Sequence, residues 1–326
     1  MKALQLTAYG GTDGLKLAEL PRPEPRRQRV VVRVEAAGLN YSDLMIMQNT
    51  YLETMPLPYV LGREFVGEVV ATGPGVGEEL IGARVVGSSR GGAFAEYVEA
   101  AVNAVRPVPD FLSAGAALAL QVQGMTALHC LQDVGGLSRG EIVLIHAAAG
   151  GVGTLAVQLA QLLGAGQVFG TASSAEKCAL VEELGATAIN YTEGDWVASL
   201  QSHTGNSGAN LILESVGGDV FLRSFREALA SFGRLVVFGA SSQKVSKLSN
   251  VEILGSGKSV HGYFLPQFYH PTRRHRIAEA WHQLLLFAEQ EQLRVIVGDR
   301  FGLDDAAAAI EQMQQRGSIG KVLITP

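Results

Sequence analysis

The residues best placed to do chemistry stand in one run. Ile142-Val143-Leu144-Ile145 has an apolar strand pattern, His146-Ala147-Ala148-Ala149-Gly150-Gly151-Val152-Gly153 is a turn of very small residues, and Thr154-Leu155-Ala156-Val157-Gln158-Leu159-Ala160 has helical spacing. Strand, tight turn and helix in that order form a Rossmann unit, the device that receives a dinucleotide. Small residues let backbone amides approach a pyrophosphate, and the helix N-terminus stabilises its charge. The fingerprint G-x-G-x-x-G reads Ala148-x-Gly150-x-x-Gly153, with alanine in its first position. Its placement between strand and helix, more than the glycines themselves, carries the reading. The competing account is a glycine-rich corner that holds no ligand.

The next strand selects the dinucleotide. An NAD site needs Asp or Glu about twenty residues past the glycines, to hold the ribose 2′-hydroxyl. Here Gln167-Val168-Phe169-Gly170 runs into Thr171-Ala172-Ser173-Ser174-Ala175-Glu176-Lys177, with no carboxylate at the strand tip. Hydroxyls and a lysine suit a 2′-phosphate, which favours NADPH. Glu176 falls in the first turn of the following helix, where an acid also suits the helix dipole. Ser173 or Ser174 could instead cap that helix, and capping is compatible with phosphate contact.

These motifs need elements to hold them. The chain has 326 residues, enough for two domains with separate cores. A net charge of -5 with both signs dispersed leaves no basic footprint for nucleic acid. Apolar runs are too short and too broken by glycine to span a bilayer. Met1-Lys2-Ala3-Leu4-Gln5 enters a strand-like segment without a signal-peptide design, so a cytoplasmic location is expected. The two cysteines, Cys130 and Cys178, sit in unlike contexts and read as reduced packing residues.

From Met1 to about Leu120 the texture is short alternating segments such as 30–36, 65–72 and 83–86, broken by Gly and Pro. That predicts a compact, largely antiparallel, barrel-like domain. From about Gln121 strands alternate with helices, at 142–146, 167–171, 188–191, 210–213, 234–239 and 259–264. Six such strands predict a doubly wound parallel sheet, an α/β fold. After Pro271 the pattern gives a long amphipathic helix through Trp281 to Glu289, a strand at 293–297, a helix at 306–315 and a last strand at 321–325. The expected division is residues 1–120 with 266–326 as one domain and 121–265 as the dinucleotide-binding domain.

Three stretches resemble one family. Gly38-Leu39-Asn40-Tyr41-Ser42-Asp43, Leu61-Gly62-Arg63-Glu64-Phe65-Val66-Gly67 and the run from His146 to Gly153 are similar to the medium-chain dehydrogenase/reductase superfamily. Within it they resemble the zinc-free quinone oxidoreductase branch. Asp43-Leu44-Met45 and the stretch from Met313-Gln314 to Gly320-Lys321-Val322-Leu323 are also similar to the vesicle amine transport protein-1 group. The resemblance implies a Rossmann domain joined to a GroES-like domain, and a homodimer.

Zinc members of that superfamily place Cys where Asn40 stands, His where Arg63 stands, and a further ligand near Val122 or Gln123. An amide, a guanidinium that cannot lose its proton, and an apolar or amide group replace them, so no metal is expected. The chain's two cysteines also fall short of the four that a structural zinc lobe needs. Of the seven histidines, His129 and His146 read as core or turn residues, and His270, His275 and His282 as solvated.

Without a Lewis acid, alcohol oxidation is disfavoured, and the expected acceptor is already an electrophile: a quinone or an activated α,β-unsaturated carbonyl. Tyr41 and Tyr51 are candidates to polarise it or to deliver a proton. The resemblance places Asn40 and Tyr51 at the nicotinamide end, with Asn40 orienting the nicotinamide or its ribose. Either tyrosine could instead be a core residue with a satisfied hydroxyl. The resemblance further implies Gln123 toward the nicotinamide ribose, Ala149, Gly150, Gly151 and Val152 around the pyrophosphate, Thr171, Ser173 and Lys177 at the 2′-phosphate, and Tyr191 beside the adenosine. Phe238, Gly239 and Ser241 close the fifth strand, where ligand is expected, and Phe264 should lie near the carboxamide. Glu214 reads equally as a ligand or as a cap of the next turn. The aromatic segment 261–269 could shape a flat acceptor pocket or pack at a subunit interface.

The function that follows is NADPH-dependent reduction of quinones or activated enones. The alternative is an NADPH-binding protein with little turnover and a structural or membrane-associated role, since the same fold permits it. Within the enzyme class, an enoyl reductase of thioesters is a third reading.

Overall fold

The computed structural model describes the whole chain, Met1–Pro326. Two compact units emerge, one of Met1–Gln121 with Ile296–Pro326 and one of Val122–Val295.

The second unit is built on a six-stranded sheet in the order Thr187–Asn190, Gln167–Ala172, Ile142–Ile145, Ala209–Glu214, Leu229–Val237, Ser259–Gly262. Every pairing in it is parallel. A parallel sheet covered on both faces demands continuous apolar strands, and Val143, Leu144 and Ile145 are all fully buried. The helix Gly151–Leu162 packs back on the sheet through Leu155, Val157 and Leu159. Chain direction across the sheet reverses at Ile142–Ile145, flanked by Gln167–Ala172 on one side and Ala209–Glu214 on the other. Ligands of such sheets bind at the carboxyl ends of the strands beside this switch point. All six predicted strands are present.

Two expectations differ from the structure. Residues 266–295 cluster with the second unit, not the first. The helix Arg274–Glu289 buries Ile277, Ala280, Trp281 and Leu284 and packs against Met125–His129. The strand expected at 293–297 starts instead at Val297 and runs as Val297–Gly302. The buried side chain of Gln158 explains the delay. Its Oε1 accepts from the Arg294 amide at 2.8 Å and its Nε2 donates to the Arg294 carbonyl at 2.9 Å, so that backbone has left the ladder.

The first unit carries a seven-stranded sheet and a three-stranded one. Apart from the parallel pair Val297–Gly302 and Lys321–Thr325, its pairings are antiparallel. The long strand Arg29–Leu39 pairs with Glu64–Thr72 along most of its length and with the closing strand at Ala37–Leu39. Alternate residues of these strands, with Phe65, Phe94 and Leu61, fill the core. The closing strand thereby sets Lys321 beside the start of Glu64–Thr72, 257 residues distant in sequence. No helix of the protein is long and apolar enough to cross a membrane.

Candidate functional site

The glycine turn sits at the carboxyl end of Ile142–Ile145. Ala147 takes a positive φ of 53°, and Gly150 donates back to the Ala147 carbonyl at 2.9 Å, closing the turn. Gly150 is the N-cap of the helix Gly151–Leu162 in extended conformation and no side chain caps it. The amides of Gly151, Val152 and Gly153 therefore have no acceptor within the helix. Gly153 has a second role: a Cβ there would stand 2.3 Å from the Ala147 carbonyl oxygen and 2.6 Å from the Ala148 Cα. Only glycine lets the helix approach the turn this closely.

Beneath the turn lies a buried histidine. His146 Nδ1 is 3.1 Å from the Thr171 hydroxyl and Nε2 is 2.8 Å from the Ser224 hydroxyl, with the ring edge-on to Trp196. Burial keeps the imidazole neutral and pushes its pKa down to about 3. A group whose folded pKa is depressed contributes stability above its unfolded value and loses it as pH falls. His146 should thus destabilise the fold by on the order of 5 kcal/mol between pH 6.5 and 3, about 3 of them by pH 4. Urea unfolding at pH 7 and pH 4 should show this slope in the wild type and its loss in His146→Gln. Equal acid slopes in both proteins would mean that another group is responsible.

Thr171 is 2 % exposed. Besides His146, its hydroxyl takes the Ala147 amide at 3.3 Å, and its carbonyl accepts from the Ala148 amide at 3.0 Å. The structure therefore spends this expected phosphate contact on holding the glycine turn from below. Ser174, not Ser173, caps the helix Ala175–Glu183, accepting from the Lys177 amide at 3.3 Å. Ser173 follows the strand and Lys177 lies in the first turn of that helix, both half-buried. Partial burial pulls the Lys177 ammonium below the usual lysine range, against the opposing field of Glu176. Cys178 is half-buried with its pKa raised, mainly by burial, so it is not poised as a thiolate.

Gln123 lies in the π-helical turn Ala119–Gly124, and its Oε1 is buried with no hydrogen-bond partner. A Cβ on Gly151 would fall 2.0 Å from its Nε2, so the amide lies directly against the start of the glycine helix. Phe238, Gly239 and Ser241 follow the fifth strand as a laced loop. Phe238 donates to the Glu214 carbonyl and Ser241 to the Ser215 carbonyl, each at 2.9 Å. Glu214 Oε1 caps the next turn through the Val216 and Gly217 amides, at 2.6 and 2.7 Å, while its buried Oε2 has no partner. Tyr191 is half-buried against the core of this unit. Phe264 is half-buried and precedes the short helix Leu265–Phe268. In the same segment Tyr263 and Phe268 pack on His129, the latter stacked at 4.2 Å, so part of the aromatic stretch is core. His270, His275 and His282 are exposed.

In the first unit Asn40 is the N-cap residue of the helix Tyr41–Met47 and is held on three sides. Its amide N–H donates to Asp43 Oδ2 at 2.9 Å, its Nδ2 donates to Glu64 Oε1 at 2.6 Å, and its Oδ1 accepts from Lys321 Nζ at 3.0 Å. Lys321 also donates to the Leu39 carbonyl at 3.2 Å and forms an ion pair with Glu64. Asp43, Glu64 and Lys321 are all fully buried. Burial pushes Asp43 up to about 6 and raises Glu64 too, with Lys321 pulling both back. Because Lys321 can only donate and ionised Glu64 can only accept, they fix which way the Asn40 amide points. Tyr51 accepts from Arg63 Nη1 at 2.7 Å, with the guanidinium 5.2 Å from its ring centre. Tyr41 and Tyr51 both pack partly against the core. Asp43 is near enough to act on Tyr51 and Arg63 electrostatically. Glu64 and Lys321 were not foreseen as site residues, and nothing in local spacing marks them: their meeting is a product of the closing strand.

A surface concavity of about 390 Å³ elsewhere in this unit is lined by Arg33, Glu35, Glu68 and Arg84. These charges pair with each other, Arg33 with Glu68 at 2.7 Å and Arg84 with Glu35 at 2.9 Å, leaving none for a ligand.

A doubly wound sheet with an uncapped glycine helix at its switch point, in a chain that also carries an antiparallel unit, is the framework of a two-domain dinucleotide-binding protein. Comparison with known proteins agrees. Residues 151–285 match the family described as zinc-binding dehydrogenase, and residues 26–110 match the alcohol dehydrogenase GroES-like domain. The human synaptic vesicle membrane protein VAT-1 homolog is 30 % identical over 100 % of this chain and 86 % of its own length. The rat quinone oxidoreductase-like protein 2 is 31 % identical over 91 % of this chain and 85 % of its own. A crystal structure of Escherichia coli quinone oxidoreductase complexed with NADPH superposes with a TM-score of 0.92 at 30 % identity, covering 100 % of both chains. The chain belongs to the medium-chain dehydrogenase/reductase superfamily, in its quinone oxidoreductase branch.

The name of the first matching family carries zinc, and the residues here do not fit it. Asn40 is engaged by an ammonium and a carboxylate, and Arg63, a permanent cation, is bound to Tyr51. A dication placed among these groups would meet Lys321 and Arg63 without a thiolate or imidazole to hold it. No group of three His, Cys, Asp or Glu side chains is arranged to hold a metal.

Proposed function

We propose that the chain is a zinc-independent, NADPH-dependent reductase of quinones or activated α,β-unsaturated carbonyls, working as a cytoplasmic homodimer. The observation that carries the cofactor reading is the tip of the strand Gln167–Ala172. It has no carboxylate to repel a 2′-phosphate, and Ser173 after it and Lys177 in the first turn of the next helix are both half-buried. The uncapped amides of the glycine helix and the orphaned Gln123 Oε1 are the polar groups that a dinucleotide would satisfy.

When bound, NADPH supplies the hydride. The chain's own residues do the rest. Ala149, Gly150, Gly151 and Val152 hold the pyrophosphate, Ser173 and Lys177 the 2′-phosphate, and Thr171 supports the turn. Tyr191 flanks the adenosine, and Gln123 accepts from a ribose hydroxyl. Phe238, Gly239, Ser241 and Phe264 wall the nicotinamide. Asn40, its amide fixed by Lys321 and Glu64, orients the nicotinamide or its ribose. Tyr51 polarises the acceptor oxygen, with the Arg63 cation reinforcing its hydroxyl, and Tyr41 is the second candidate proton donor.

The test is nicotinamide absorbance with NADPH or NADH and a panel of quinones and enones, in wild type and Lys177→Ala. Wild type should oxidise NADPH in preference to NADH. The variant should bind NADPH about 10- to 100-fold more weakly and NADH almost unchanged, because a charge-assisted contact to the 2′-phosphate is lost. Equal losses for both cofactors would refute the phosphate assignment. The relationship to a vesicle membrane protein keeps a second reading open, a cofactor-binding protein without turnover. Tight NADPH binding with no acceptor turned over would favour it.

A further inference from the structure

We propose that Arg63 is an anchor for an anionic oxygen on the acceptor, so that the site prefers flat conjugated carbonyl compounds carrying an ionised substituent. The word acceptor rests on the reductase reading; the anion site does not. Arg63 leaves a rigid corner. Leu61 donates to the Leu4 carbonyl at 3.1 Å, Ala93 to the Gly62 carbonyl at 3.0 Å, and Ser89 to the Arg63 carbonyl at 2.9 Å. Gly62 has a φ of +83°, and a Cβ there would stand 2.6 Å from the Phe94 amide nitrogen, so the corner admits no side chain.

The guanidinium at this corner is half-buried yet forms no ion pair. Arg84, Arg223 and Arg234, similarly half-buried, are neutralised by Glu35 at 2.9 Å, Asp195 at 2.7 Å and Glu141 at 2.5 Å, whereas Arg106 has a neutral partner in the Gln121 side chain at 2.8 Å. Of the five N–H donors of Arg63, one goes to Tyr51. Asp43 acts on Arg63 electrostatically without an ion-pair contact: its Oδ2 accepts from the Asn40 amide and its Oδ1 has no hydrogen-bond partner. A cation withdrawn from water without an anionic contact partner is costly, and it cannot be discharged by losing its proton. Tyr51 and Tyr59 lie beside it, so the group presents aromatic surface next to a planar positive fork. An ionised oxygen on a flat ring is the ligand that satisfies both features.

The experiment is equilibrium dialysis of 2-hydroxy-1,4-naphthoquinone, an anion at neutral pH, against its neutral methyl ether, 2-methoxy-1,4-naphthoquinone. The intact protein is used with saturating NADP⁺, which permits no turnover. Wild type should bind the anion at least about 10-fold more tightly than the ether. Arg63→Met should bring the two within about 2-fold, and Arg63→Lys should keep part of the preference. Circular dichroism melting checks each variant, and Arg63→Gln replaces the methionine variant if that one does not fold. A wild type without preference, or a preference that survives loss of the charge, overturns the proposal. Oxidation of NADPH by neutral quinones without any anion preference would refute the anchor and leave the reductase standing. Anion preference with no acceptor reduced would refute the reductase and leave the anchor.

Discussion

Lys321→Met should destabilise the protein by about 3–5 kcal/mol near neutral pH, the cost of leaving a buried carboxylate without its counter-charge. Lys321 is fully buried and its three acceptors are Glu64, Asn40 and the Leu39 carbonyl. Glu64 is equally buried, its Oε2 has no partner, and the neutral Asn40 amide is the one side-chain donor that would remain to it. Burial already pushes the Glu64 carboxyl above the usual range, and Lys321 is the first force holding it down. Without that ammonium the carboxyl would take up a proton on folding. A raised folded pKa makes the defect largest at high pH and smallest near and below the ordinary carboxylate value. Urea unfolding from pH 5 to 9 should therefore show a steeper alkaline loss in Lys321→Met than in wild type. Adding Glu64→Gln should recover most of it while keeping an acceptor for Asn40. A small, pH-independent loss would mean that water reaches the pair.

The second large effect is expected at the glycine turn, where neighbouring glycines should fail differently. In Gly153→Val the new Cβ meets backbone, the Ala147 carbonyl and the Ala148 Cα, which cannot move without lifting the helix from the turn. NADPH affinity should fall by at least about 100-fold, and stability by roughly 1–3 kcal/mol, the usual range for overpacking. In Gly151→Val the Cβ meets only the end of the Gln123 side chain, which can swing aside. That variant should melt close to wild type yet still lose the dinucleotide, because the branched side chain occupies the space over the helix amides. Fluorescence titration with NADPH alongside thermal melts separates the cases. Full binding by Gly151→Val would remove this turn as the pyrophosphate site.

Much of this could be read from residue order because the signals are local. The apolar run at 142–145, the small-residue turn and the helical spacing after it lie within one continuous stretch. The lack of a carboxylate at the next strand tip is equally local. So are the replacement residues Asn40 and Arg63, whose donor chemistry argues against zinc wherever they are placed. Six alternating strand patterns were sufficient to predict the doubly wound sheet, since burial on both faces demands continuous apolar runs.

What the tertiary structure decided depends on partners far apart in the chain. Local pattern at 293–297 favours a strand, yet Gln158 takes both backbone groups of Arg294 and postpones it to Val297. Thr171 carries the right hydroxyl for a phosphate contact, but His146 and the Ala147 amide claim it from below. Arg63 reads in sequence only as a missing ligand, and becomes an unpaired cation against Tyr51 once the corner at Gly62 is folded. Lys321 lies in an ordinary apolar closing strand, and only the pairing of that strand with Ala37–Leu39 brings its ammonium to Glu64 and Asn40. Periodicity along a chain encodes which face of an element is buried. It carries no record of which buried charge will find which, because that is set by strand pairing between segments hundreds of residues apart.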